Sequence, residues 1–456
     1  MFSKDANLKY KIVLKTFPKG GVHPPENKLT ADIPIEYLPV PESVIIPVSQ
    51  HIGSPANPLV NKGDLVKTGQ IIAAGKGFVS ANIHSSVSGK VNKIDFAADS
   101  TGYRQTAVFI DVEGDVWMDT IDRSNETDRE IKLTPEEIVK KCFESGIVGL
   151  GGATFPSHVK LTVPSGKKCE VLIINGVECE PYLTSDHRLM LEKGEQILTG
   201  IAILMKALKV EKAMIGIENN KPDAIVHITE LARSFKGISV YPLKVKYPQG
   251  AEKQLIKALT GREVPSGRLP LDVGAVVHNV GTAFAVYEAV QKNKPLFERV
   301  VTITGKSISK PGNYMVRTGT PLNKLIEAAG GLPDDTGKII NGGPMMGKAV
   351  NNTDIPVVKG MSGVVIVPAK ESVREEIRVC IRCAKCVSAC PLNLEPFLLM
   401  AISEKGFFER AEKERITDCM ECGSCSFVCP ANRPLLDYIR LGKSSVIKMA
   451  RERNLK

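Results

Sequence analysis

The chain has 456 residues, a formal net charge of +10 and 43% hydrophobic residues, with a mean hydropathy of −0.03. That length accommodates about three domains with cores of their own, and no apolar run approaches the roughly 20 residues that span a bilayer. The basic residues are spread out with no long Lys/Arg run and no nucleic-acid module, which argues against a nucleic-acid binder; an ordinary solvated surface is the first reading, and one that meets an acidic protein or a membrane face the second. The opening stretch MFSKDANLKYKIVLK carries charges throughout and lacks the apolar core of a secretory signal, so a cytoplasmic location is expected.

In chain order, residues 42–95 alternate short apolar runs with Gly turns and resemble a biotinyl/lipoyl-like barrel-sandwich. The lysine modified in such domains falls near Phe78, so no covalent group is expected there, and His84 reads as a core or turn histidine. Residues 115–134 read as a linker. TPEEIVKKCFES then reads as a helix, followed by a loop carrying Gly146, Gly149, Gly151 and Gly152 and by a second helix. Glycines permit positive φ and let backbone N–H groups approach a phosphate or a flat ring. CEVLIING, at residues 169–176, reads as a buried strand that ends in the polar VECEPYLTSDHR. The carboxyl end of such a strand is where open α/β sheets bind ligands. Residues 298–347 alternate strand, turn and one helix without a catalytic set, and residues 361–376 read as a second linker.

Eight of the 11 cysteines lie in CIRCAKCVSACP (380–391) and CMECGSCSFVCP (419–430). The spacing C-x2-C-x2-C-x3-C-P, used twice, is that of two-cluster bacterial ferredoxins, in which thiolates hold [4Fe–4S] clusters and the fourth cysteine of each run serves the other cluster. Zinc sites instead pair C-x2-C groups across a dozen or more residues. The expected ligand sets are Cys380, Cys383, Cys386 and Cys429 for one cluster, and Cys419, Cys422, Cys425 and Cys390 for the other. Between the runs, Leu398, Leu399, Ile402 and Phe407 mark a helical insert, and the basic, amphipathic residues 433–456 read as a capping helix. Cys142, Cys169 and Cys179 lack ligand spacing and read as ordinary thiols.

GLGGATFPSHVK followed by NGVECEP resembles the FMN site of the NADH-binding flavoprotein subunit of respiratory complex I. KYPQGAEKQLIKALTGREVP and GAVVHNVGTAFAVYEAV are similar to two further stretches of that subunit. GGVHPPENK (20–28), the flavoprotein core and both cysteine runs followed by LNLEPFLL together resemble the RnfC proteins of Rnf complexes, membrane-bound ferredoxin:NAD oxidoreductases coupled to ion translocation. Carried over by this resemblance, Gly149, Gly151, Gly152 and Lys160 cradle FMN, Asn175 binds the flavin, and Glu178 and Glu180 face the flavin edge and the nicotinamide. Tyr247, Gly250 and Glu252 match one family element, Asn279 and Thr282 another, and Phe155 corresponds to an aromatic that stacks on the dinucleotide. Val177, Ala251, Leu150 and His278 depart from the complex I subunit's motifs, standing where those have an acid, a glutamate, an arginine and an asparagine.

The resemblance implies a multidomain α/β and α+β chain: a barrel-sandwich at 1–115, an α/β FMN/NADH domain at 116–295, a β-grasp domain at 296–360, and a helical dicluster ferredoxin-like domain at 361–456. It implies two [4Fe–4S] clusters, non-covalent FMN and NAD(H) as substrate. The implied partners are the other subunits of a membrane complex, with ferredoxin as a further candidate, at the cytoplasmic face of the membrane without a span of its own. Two alternatives belong to other classes: a flavin and iron–sulfur cobalamin reductase, and a non-catalytic electron-transfer adaptor.

Overall fold

The computed structural model describes residues 14–454. The N-terminal body consists of two antiparallel sheets. One is ordered Ser43–Pro47, Arg104–Val112, Gly89–Ala98, Leu65–Val66, and the other joins Asn57–Pro58, Ile71–Ala74 and Ile83–His84. Val44, Ile46, Val108 and Ile110 share a core with Ile72, Ile83 and Val91, the period-two pattern of strands with one face inward. His84 is buried in this body.

The central body is a parallel sheet ordered Ile238–Leu243, Ala213–Glu218, Val171–Asn175, Ala275–Asn279. Helices cover both faces, which is why its strands are apolar on alternate and intervening residues alike. Leu172 and Ile174 pack with Ile197, Ile201 and Leu204 of the helix Gly194–Leu208. Val171 and Ile173 pack on the opposite face with Leu255, Ile256 and Leu259 of the helix Glu252–Thr260. The helix Pro135–Glu144 begins where expected because Thr134 and Glu137 satisfy each other's backbone N–H groups. The strand order reverses between Val171–Asn175 and Ala275–Asn279, and the space beyond their carboxyl ends is the crevice position at which open α/β sheets bind ligands.

The third body is a six-stranded mixed sheet ordered Ile35–Tyr37, Gly312–Arg317, Glu298–Thr304, Gly363–Pro368, Thr336–Asn341, Lys348–Val350, packed on the helix Leu322–Ala328. Two boundaries expected from the sequence shift. Residues 361–376 are not simply a linker: Gly363–Pro368 is an interior strand, parallel to Glu298–Thr304 and antiparallel to Thr336–Asn341. The third body therefore continues past residue 360. Likewise, Ile35–Tyr37 pairs with Gly312–Arg317, so the first 115 residues are shared between bodies. Residues 115–134 contain no helix or strand yet are fastened, with Asp115 paired to Arg317 and Trp117 edge-on to Phe297.

The C-terminal body is helical. Pro396–Glu404 and Phe408–Lys413 pack on the long helix Leu435–Asn454 through Leu399, Ile402, Ala411, Ile439 and Val446. Phe407 of the insert stays exposed. Among the described residues no helix is long and apolar enough to cross a membrane.

Candidate functional site

Asn175 and Asn279 end the two strands that flank the crevice and stand opposite each other in register. Asn175 donates to the Gly250 carbonyl at 2.8 Å and accepts from the Val177 N–H. Asn279 caps the helix Val280–Gln291 by accepting from the Gly281 N–H at 2.8 Å, and its amide donates to Asp186 at 2.6 Å. One turn on, the Thr282 hydroxyl accepts from the Leu150 N–H at 2.9 Å, which fastens the glycine loop to this helix. The second fastening of the loop is the Gly149 N–H donating to the Phe155 carbonyl.

Beyond these anchors the loop is open. Gly152 has φ 112° with no atom within 4 Å of where a Cβ would stand, while a Cβ on Gly151 would lie 3.4 Å from that of Asn279. Among the described residues, the N–H groups of Gly151, Gly152 and Ala153 meet no protein acceptor. An exposed row of free donors against a crevice suits a phosphate or the polar edge of a ring. Phe155 is half-buried at the loop's far side. Lys160, on the short helix Ser157–Leu161, pairs with Glu252 at 2.7 Å and donates to the Val277 carbonyl at 3.0 Å. The crevice therefore brings together Gly149, Gly151, Gly152, Lys160, Asn175, Gly250, Glu252, Asn279 and Thr282.

The two acids expected at the flavin edge and the nicotinamide are engaged otherwise. The Glu178 carboxylate accepts from the N–H groups of Asp186 and His187 and from the Ser185 hydroxyl, so it closes the amino end of the helix Ser185–Glu192. The Glu180 carboxylate accepts from the Met345 and Met346 N–H groups at 3.1 and 2.8 Å and from the Tyr247 hydroxyl at 3.3 Å. Burial nonetheless pushes its pKa up to about 7. Tyr247 is buried, and its hydroxyl also donates to the Cys422 carbonyl at 2.9 Å. The side chain thus points into the seam with the cysteine body.

Sequence reasoning passed over four charged groups around the crevice. Asp186 has its pKa pushed up by burial and by the Glu178 charge, and Arg299 is buried with its guanidinium on the carbonyls of Lys359 and Leu150. Lys28 and Lys221 donate to carbonyls of residues 177–183. Lys28 lies within the GGVHPPENK motif; the other three carry no local pattern. Cys179 is half-buried beneath Gly250, whose N–H approaches its sulfur at 3.4 Å, and desolvation of the thiol raises its pKa.

Cys390, Cys419, Cys422 and Cys425 line a single cavity whose other walls include Leu394, Leu399, Leu436 and Ile439. Burial pushes the Cys419 and Cys425 thiols up to about 11 and 12. Four sulfurs lining one largely apolar chamber have the donor chemistry of a thiolate-held cluster, whose iron would keep such thiols ionised. Cys386 and Cys429 are each half-buried. Cys380 and Cys383 are exposed beside Val379 and Ile381. The cavity abuts the central body: the Gly21 N–H donates to the Ala389 carbonyl at 2.9 Å, and Gln254 donates to the Pro391 carbonyl at 3.0 Å.

Comparison with known families covers the same four bodies. The RnfC barrel sandwich hybrid domain matches residues 15–115, the Nuo51 FMN-binding domain 142–288, the SLBB domain 300–349 and the 4Fe-4S dicluster domain 372–436. Fold and site together define a flavin and iron–sulfur electron-transfer protein. The RnfC-type member of the proton-translocating ferredoxin:NAD(+) oxidoreductase complex of Clostridium ljungdahlii is 49% identical over 407 residues, 88% of this chain and 87% of its own. Its counterpart in the Na(+)-translocating complex of Acetobacterium woodii is 45% identical over 96% of this chain and 98% of its own. The one in the ion-translocating oxidoreductase complex of Rhodobacter capsulatus is 42% identical over 94% of this chain and 83% of its own. The chain belongs to this family, the RnfC proteins of ion-translocating ferredoxin:NAD(+) oxidoreductase complexes.

Proposed function

We propose that this chain is the NAD(H)-linked flavin and iron–sulfur subunit of an ion-translocating ferredoxin:NAD oxidoreductase, moving electrons between NAD(H), FMN and two [4Fe–4S] clusters. It works with the other subunits of the membrane complex and sits peripherally at the cytoplasmic face. The finer assignments belong to the same reading: a biotinyl/lipoyl-like N-terminal body, a β-grasp third body and a helical dicluster C-terminal body. The observation that carries it is the Tyr247 bridge, one hydroxyl joining the crevice loop at Glu180 to the cysteine turn at Cys422. Through it, the loop that follows the strand Val171–Asn175 is tied to Cys422, which lines the four-sulfur cavity.

The chemistry a flavin supplies in such a site is conversion between a two-electron hydride and single electrons. The chain's own groups bind and orient. The free N–H groups after Leu150 receive the phosphate or ring edge, with Gly151 and Gly152 keeping that approach clear. Lys160 brings a positive charge to the crevice while Glu252 holds its ammonium in place. Asn175 and Asn279 fix the crevice walls through Gly250 and Asp186. Glu178 and Glu180 maintain the loop and the neighbouring body rather than standing free for the nicotinamide. Cys380, Cys383, Cys386 and Cys429 would hold one cluster, and Cys419, Cys422, Cys425 and Cys390 the other. The test is anaerobic: the purified chain should show a flavin absorption band that bleaches on adding NADH, followed by cluster reduction in EPR. A chain that carries both clusters yet shows no NADH-bleachable flavin overturns the assignment.

A further inference from the structure

The loop at residues 177–183 departs from regular structure, with positive φ at Glu178 (46°) and Tyr182 (71°). Such conformations persist only where the surroundings over-determine them. The surroundings here are two ammonium groups. Lys28 Nζ donates to the carbonyls of Glu178, Glu180 and Leu183 at 2.8, 2.9 and 2.6 Å, and Lys221 Nζ donates to that of Val177 at 2.8 Å. An ammonium has three protons and no acceptor, so Lys28 is fully satisfied by one loop. Lys221 is 2% exposed and takes the Asn220 side chain as a second acceptor. The two lysines come from segments far apart in the sequence. Lys28 belongs to the N-terminal strap that also contributes the Val22–Tyr247 bridge, while Lys221 follows the central strand Ala213–Glu218.

Four carbonyls turned onto cations leave the amide side of the loop uncommitted. Among the described residues, the N–H groups of Glu178, Cys179 and Glu180 meet no protein acceptor. This same stretch lies against Gly250, where a Cβ would meet the Cys179 sulfur at 3.3 Å and Val177 Cβ at 3.4 Å. We infer that Lys28 and Lys221 are positioning residues for the flavin: they pin the carbonyls of residues 177–183 so that the loop's free N–H groups form the second wall of the crevice, opposite the glycine loop. The N-terminal strap thereby becomes part of the flavin site rather than a connector. This rests on the flavin reading of the crevice.

The experiment titrates FMN into the flavin-free, cluster-containing chain and its Lys28→Met and Lys221→Met variants. Methionine keeps most of the stem and removes the charge and donors. Each variant should bind FMN about tenfold more weakly or worse, with cluster EPR signals intact. The double variant should fall well short of the product of the single effects, because both act through one loop. In the flavin-free chain, hydrogen exchange at residues 177–183 should accelerate in both variants, a readout that needs no cofactor. Wild-type affinity in both single variants, fully multiplicative effects, or unchanged exchange overturns the proposal. If Lys28→Met does not fold, Lys221→Met carries the same test, since it leaves the three Lys28 bonds in place. Failure of the unaltered chain to bind FMN would instead count against the flavin reading, while the exchange measurement still decides whether the lysines hold the loop.

Discussion

His278 lies on the strand Ala275–Asn279, 4% exposed, with its Nε2 unpartnered. Burial, aided by the nearby Lys160 charge, lowers its pKa from 6.5 to about 3. The unfolded chain therefore binds a proton between pH 6.5 and 3 that the folded chain refuses, so this group leaves stability intact above pH 6.5 and erodes it as pH falls below that value. At pH 5 the erosion is on the order of 2 kcal/mol. Asparagine, the residue the related flavoproteins have here, does not titrate. His278→Asn should therefore narrow the gap between denaturant-derived stabilities at pH 7 and pH 5 by that amount. An unchanged gap would mean that the ring is protonated, or hydrated, in the folded chain.

At the scale of elements, the glycine loop and the strands beside it act as one device. Gly151 stands where any side chain turns toward Asn279, and a valine there adds branches to a Cβ already 3.4 Å from the Asn279 Cβ. Gly151→Val should fold, keep both clusters and lose FMN on gel filtration; full flavin occupancy would show that the loop is not the cradle. Much of this element was legible in the sequence because its constraints are local: glycines where a backbone must stay bare, and a buried strand ending in polar residues. What escaped is long-range. Nothing around Glu180 announces Met345 and Met346 as its donors, 165 and 166 residues away. Nothing around Glu178 says that its carboxylate closes the next helix, since the sequence shows only an acid in a familiar motif. The strand Gly363–Pro368 is apolar along its length. Its place beside Glu298–Thr304 depends on pairing across about sixty residues, and so the stretch containing it read as a linker.

Across the whole molecule, the strap, crevice and cysteine body meet at one seam. Gly20 marks how close the contact is: a Cβ on it would lie 2.5 Å from the Cys390 carbonyl oxygen. Cys390 belongs by sequence to the first run, yet it lines the cavity shared with Cys419, Cys422 and Cys425 of the second. The proposed exchange of fourth cysteines would make each cluster depend on both runs. It would also set the cluster that includes Cys390 on the side of Tyr247 and leave that of Cys380 and Cys383 at the exposed end, and the proposed order of sites is then crevice, buried cluster, exposed cluster. Substituting Cys390 separates this arrangement from one in which each run serves its own cluster. In EPR of the reduced protein, Cys390→Ser should disturb the same signal that Cys425→Ser disturbs and leave the signal affected by Cys383→Ser in place. If Cys390→Ser instead reproduces the Cys383→Ser spectrum, each run holds its own cluster, and the cavity lined by four cysteines of two runs is not a ligand set.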